Sequence, residues 1–88
     1  MICKQVIYTG QVQGVGFRYT TQHVAEGFAV AGYVKNLPDG SVELVAQGET
    51  DQVDSFLRAV AKRMAEFIDR ADVQDIPTGD FPGFRIRH

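Results

Sequence analysis

Along Gly10-Gln11-Val12-Gln13-Gly14-Val15-Gly16-Phe17-Arg18, a run of strand formers gives way to a glycine-punctuated bend that ends on an arginine. Gly14 and Gly16 can take the positive φ values that bring successive backbone N–H groups into a concave nest, and Arg18 adds a planar, permanently charged fork. A helix beginning at Arg18 or Tyr19 would aim its positive end into the same concavity. Glycines at a strand-to-helix turn also serve packing alone. The arginine tilts the reading toward a cradle for a phosphoryl group. It is not a Walker loop, because no lysine followed by serine or threonine closes the bend, and it lacks the third glycine of a dinucleotide fingerprint, whose place is taken by Tyr19.

Around the cradle the chain is poor in groups that move protons. Thr20 and Thr21 have no histidine and carboxylate arranged to activate a hydroxyl, and read as cap or surface residues. Cys3 has no partner. His23 lies about a turn and a half past Arg18 and reads as an exposed helix residue. Phosphoryl transfer through a loose transition state needs mainly positioning and charge stabilisation. A carboxylate leaving group, whose conjugate acid has a pKa of about 4, departs without a general acid. Among phosphate compounds, a mixed carboxylic–phosphoric anhydride therefore suits this site best. With no side chain that must titrate, kcat is expected to be flat at mid-range pH.

These residues need elements to hold them. Lys4 to Val12 reads as a strand, and Tyr19 to Phe28 as a helix with Thr21, Val24, Ala25 and Phe28 on one face. Gly32 to Asn36 and Ser41 to Gln47 form a hairpin around Leu37-Pro38-Asp39-Gly40. Thr50 or Asp51 caps a second helix, whose apolar stripe runs through Val53, Phe56, Leu57, Val60, Met64, Phe67 and Ile68. Ala71 to Ile76 and Phe84 to Arg87 read as two short strands. The order βαββαβ with a short extra C-terminal strand predicts an α+β, ferredoxin-like sandwich, an antiparallel sheet with two helices on one face. In that topology the first and second strands are expected side by side, which lets Asn36 approach the cradle. By itself, an asparagine before a proline turn reads first as the residue that closes the turn.

The 88 residues are expected to form a single domain (1–88) with a modest core. A net charge of −2 and a pI near 5.5 disfavour a general nucleic-acid surface. With one cysteine and two histidines, His23 and His88, there is no metal-ligand spacing, and no disulfide can form within the chain. No segment reads as a signal peptide or membrane span. A cytoplasmic monomer acting on a small molecule is expected, with no cofactor, no metal, no nucleic acid and no membrane partner.

The cradle segment, together with Gly32-Tyr33-Val34-Lys35-Asn36-Leu37-Pro38-Asp39-Gly40-Ser41-Val42-Glu43, resembles both signatures of the acylphosphatase family, and Phe84-Arg85-Ile86-Arg87 resembles its final strand. The resemblance covers nearly the whole chain and is loose from Met64 to Gly83. It implies hydrolysis of acyl phosphates to a carboxylate and inorganic phosphate without metal or cofactor. It puts substrate-phosphate binding on Gln13, Gly14, Val15, Gly16 and Arg18. Catalysis falls to Arg18 and Asn36, with Asn36 positioning water in place of its turn-closing reading. Ala29 stands where bacterial members often have glycine, and Gln47 where some carry a second cysteine, so that stabilising bridge is absent. The alternatives are a phosphate- or phosphometabolite-binding module without turnover and a single-stranded RNA binder on an open sheet face. Related domains also open larger hydrogenase-maturation proteins, whose zinc-binding cysteines are missing here.

Overall fold

Alternation along the first strand, β1 (Ile2–Gly10), sends Val6 and Tyr8 to one face, where they are almost fully buried. The computed structural model describes residues 1–88. After β1 come α1 (Phe17–Ala25), β2 (Val30–Asn36), β3 (Val42–Gly48), α2 (Thr50–Arg63), β4 (Ile68–Asp75) and β5 (Phe84–Arg87). Val34, Val42, Leu44 and Ala46 extend the buried face across the sheet, and Phe17, Ala25, Val53, Phe56, Val60 and Met64 meet it from the helical layer. Phe56 is at its centre, 6.0 Å from Phe28 and edge-on to Phe84 at 5.3 Å. No helix is long and apolar enough to cross a membrane.

The strand order is β4-β1-β3-β2-β5. This corrects the expectation that the first and second strands are neighbours. β3 lies between them, with Tyr8 paired to Val42 on one side and Asn36 paired to the same Val42 on the other. The sheet is also not wholly antiparallel, because β5 runs parallel to β2, Lys35 facing Arg87 in register. β1, β2 and β5 consequently point the same way and deliver their C-terminal ends to one edge of the sheet.

Element boundaries differ in ways that trace to tertiary contacts. α1 starts at Phe17, earlier than expected, and ends at Ala25, ahead of Gly27, so Phe28 reaches the core from the following turn. Glu49, in an extended conformation, occupies the N-cap of α2 without a side-chain hydrogen bond, whereas Thr50 and Asp51 lie inside the helix. The apolar stripe of α2 outruns the helix itself. Met64 is the C-cap, while Ile68 opens β4 opposite Gly10. Both the helix and the incoming strand fill the same core, so apolar spacing alone does not mark where one stops.

On the face away from the helices, Cys3 pairs in register with Gln47. The Gln47 carboxamide donates to the Gly79 carbonyl at 3.0 Å and accepts from its N–H at 2.8 Å, tying the 76–83 segment to the sheet. Burial pushes the Cys3 thiol pKa up, which keeps it protonated and unreactive. Because Phe56 is fully buried against Phe28 and Phe84, Phe56→Ala is expected to cost about 3–5 kcal/mol in urea denaturation; a loss under about 1 kcal/mol would show that the core closes without it.

Candidate active site

The bend after β1 has the geometry its glycines permit. Gly14 and Gly16 have φ of 78° and 77°, and a Cβ at either position would meet no atom within 4 Å. The requirement for glycine there is one of backbone conformation, not space. Gly16 is the N-cap of α1 and offers no side chain, and the first turn of the helix contains no acidic residue. The N–H groups at this helix start therefore have no intrahelical acceptor, and the positive end of the helix is left without a neutralising carboxylate.

The cradle reaches the hairpin through Gln13. Its Nε2 donates to the carbonyls of Leu37 at 2.8 Å and Ser41 at 2.9 Å, spanning the gap that the interposed β3 creates. The turn itself is closed by Asp39, whose carboxylate accepts from the Ser41 N–H at 2.9 Å and hydroxyl at 2.6 Å. Those two bonds hold the Asp39 carboxyl below its ordinary pKa. Backbone bonds from Leu37 N–H to the Ser41 carbonyl and from Gly40 N–H to the Leu37 carbonyl complete it. Asn36 is thus not the turn-closing residue; it stands at the end of β2, lining a cavity of about 270 Å³.

That cavity is walled by Val12, Gly14, Gly16, Phe17, Arg18 and Tyr19 on the cradle side and by Asn36, Ile86 and His88 across from them. Of the expected site residues, Gly14, Gly16, Arg18 and Asn36 meet there. Gln13 acts through its side chain as a tie to the hairpin, and Val15 sits at the exposed tip of the bend, outside the lining. A volume just below the usual 300–1,000 Å³ of drug-sized pockets suits a small ligand.

One lining residue had no sequence signal. His88 brings its Nδ1 to 3.2 Å from Nη1 of Arg18, and the Arg87 carbonyl is 3.3 Å from the same nitrogen. Only the parity of Phe84, Ile86 and His88, which share one face of β5 and its continuation, could have hinted at it. His23, by contrast, is exposed on the far side of α1 beside Glu26, with Nδ1 3.7 Å from the carboxylate. Thr20 is half-buried, while Thr21 turns into the core, not to the surface, and its hydroxyl has no hydrogen-bond partner. No group of three or more His, Cys, Asp or Glu side chains is clustered to hold a metal ion.

On the open sheet face, neighbouring side chains pack around the ring of Tyr33. Tyr33 has the Arg87 guanidinium 4.0 Å from its ring centre and Phe81 at 6.2 Å, and its hydroxyl donates to Glu43 at 2.9 Å. Burial and the Glu43 bond push the Tyr33 phenol pKa up.

Residues 4–86 match the family model for acylphosphatase. An acylphosphatase of Acaryochloris marina is 39% identical over 87 residues, covering 98% of this chain and 94% of its own length. One from Lactobacillus johnsonii is 43% identical over 81 residues, or 89% of each chain. The crystal structure of acylphosphatase from Bacillus subtilis superposes with a TM-score of 0.88 at 33% identity, covering all of both chains. With the family model matched over nearly the whole chain, the cradle included, the chain belongs to the acylphosphatase family.

Proposed function

We propose that the chain is a metal-independent acylphosphatase that hydrolyses small-molecule acyl phosphates to a carboxylate and inorganic phosphate, its 88 residues acting as a single domain. The observation that carries this is the meeting of Arg18, the Gly14–Gly16 bend and Asn36 around one small cavity, although β3 separates the strands that supply them. Family membership supports the reaction class.

In this reading the phosphoryl oxygens sit against the backbone N–H groups of Gln13, Gly14, Val15 and Gly16 and against the guanidinium of Arg18. Each is a preformed donor, so little reorganisation accompanies the charge that spreads over the equatorial oxygens in the transition state. The Asn36 carboxamide, facing the cradle across the cavity, orients a water toward phosphorus opposite the departing carboxylate. That leaving group is already a weak base, and its departure needs no general acid. The acidic net charge and the covered Tyr33 support a small-molecule substrate over nucleic acid. The single cysteine fits a cytoplasmic location and no second chain is needed to complete the cavity, in keeping with a monomer.

Benzoyl phosphate is expected to be hydrolysed at an unchanged rate in excess EDTA; loss of activity restored by a divalent cation would reject the metal-free mechanism. Arg18→Ala is expected to lower kcat/KM about 10²- to 10³-fold, the scale of removing one transition-state donor, with weaker inhibition by phosphate. Asn36→Ala is expected to lower kcat about 10²-fold while KM changes less than about threefold. Full activity in Asn36→Ala would remove water positioning from that residue. Tight phosphate binding by wild type without turnover would mark a binding module instead.

A further inference from the structure

Core packing does not account for Tyr19. The helix α1 buries Phe17, Thr21 and Ala25, a face repeated at every fourth residue. Tyr19 stands two positions from Phe17 and two from Thr21, about 200° round the helix from either, and is 69% exposed. The other tyrosines use their rings within the fold, Tyr8 buried against Phe17 and Tyr33 packed against Arg87 and Phe81. Of the large apolar side chains left exposed, Met1, Val15, Tyr19 and Val73, Tyr19 is the one that lines the cavity shared by Arg18 and Asn36. The remaining apolar wall of that cavity is committed to the core. Val12 and Phe17 are almost fully buried, and Ile86 is half-buried and packed against the core cluster. The apolar surface open to a ligand there is therefore chiefly the ring of Tyr19.

We infer that Tyr19 is the acyl-group subsite, a ring against which the carbon skeleton of an apolar, above all aromatic, acyl phosphate lies while its phosphoryl end occupies the cradle. This rests on the acylphosphatase reading of the cavity, and it assigns the part of the substrate that the cradle does not touch. The displacement itself sets the direction. A water oriented by Asn36 approaches phosphorus from the β2 side of the cavity, and in-line displacement sends the carboxylate out on the opposite side. The wall opposite Asn36 is the bend and the first turn of α1, which carries Tyr19 next to Arg18. An aromatic acyl group leaving that way meets the phenol ring by offset stacking or edge to face. An acetyl group brings only a methyl, which covers little of the ring, so the gain from this subsite grows with the apolar area of the acyl group.

The test compares benzoyl phosphate with acetyl phosphate in wild type, Tyr19→Ala and Tyr19→Phe. The side chain is exposed, so both substitutions leave the core intact. The readout is the ratio of kcat/KM for the two substrates; the intrinsic difference between their leaving groups is common to every variant and cancels when variants are compared. Tyr19→Ala is expected to lower the benzoyl-to-acetyl ratio about 3- to 10-fold, the scale of one aromatic contact. Tyr19→Phe keeps the ring and loses the hydroxyl, and its ratio is expected within about twofold of wild type. An unchanged ratio in Tyr19→Ala, including an equal loss on both substrates, would overturn the inference, as would a ratio in Tyr19→Phe as low as in Tyr19→Ala. Binding without turnover is read by calorimetry with the methylene isosteres of the two substrates, phenacylphosphonate and acetonylphosphonate. Wild type is expected to bind the phenacyl compound about 3- to 10-fold more tightly and Tyr19→Ala to bind the two about equally; equal affinities in wild type would overturn the inference. Failure of wild type to hydrolyse either acyl phosphate would instead reject the proposed function and leave the phosphonate affinities to decide on Tyr19.

Discussion

Three strands of the sheet share a direction, and the site depends on it. β1, β2 and β5 all end at the same edge, so the cradle, Asn36 and His88 are delivered to one place by backbone geometry before any side chain acts. The antiparallel β3 between β1 and β2 makes this possible, because two strands that each run antiparallel to the same neighbour must run parallel to each other. It also opens a gap of one strand's width between the cradle and Asn36. Gln13 closes it with two hydrogen bonds to the hairpin that carries Asn36 into β3.

The cradle itself is built from absences. Without a side chain Gly16 cannot cap α1, without a Cβ Gly14 and Gly16 adopt positive φ at no steric cost, and without an acid in the first turn the positive helix end stays available to an external anion. A folded protein ordinarily satisfies such donors internally. Leaving them unpaired beside an arginine puts the donors where an anion can use them. The cost is borne by a core in which Phe17, the first residue of the helix, is buried with its ring tilted against that of Tyr8 at 5.0 Å, fixing the start of α1 to the end of β1. Burial also pushes the Tyr8 phenol pKa far up, so that contact stays uncharged across working pH.

Much of this was legible in the residues themselves, where the determining physics is local. Positive φ at Gly14 and Gly16, the hairpin at Pro38 and Gly40, and the buried stripe of α2 follow from steric freedom, ring constraint and helical spacing within a few residues. The charge on Arg18 was legible too, since it belongs to the residue type and not to its surroundings. Strand neighbours were not. Alternation says which face of a strand is buried but carries nothing about which strand it pairs with, so the insertion of β3 and the parallel docking of β5 were settled only by packing of the whole sheet. The same limit hid three site details. Asp39 takes the turn-closing bond from Asn36, Gln13 serves as a side-chain tie, and His88 meets Arg18, each through a contact whose partner the spacing of residues along the chain did not identify.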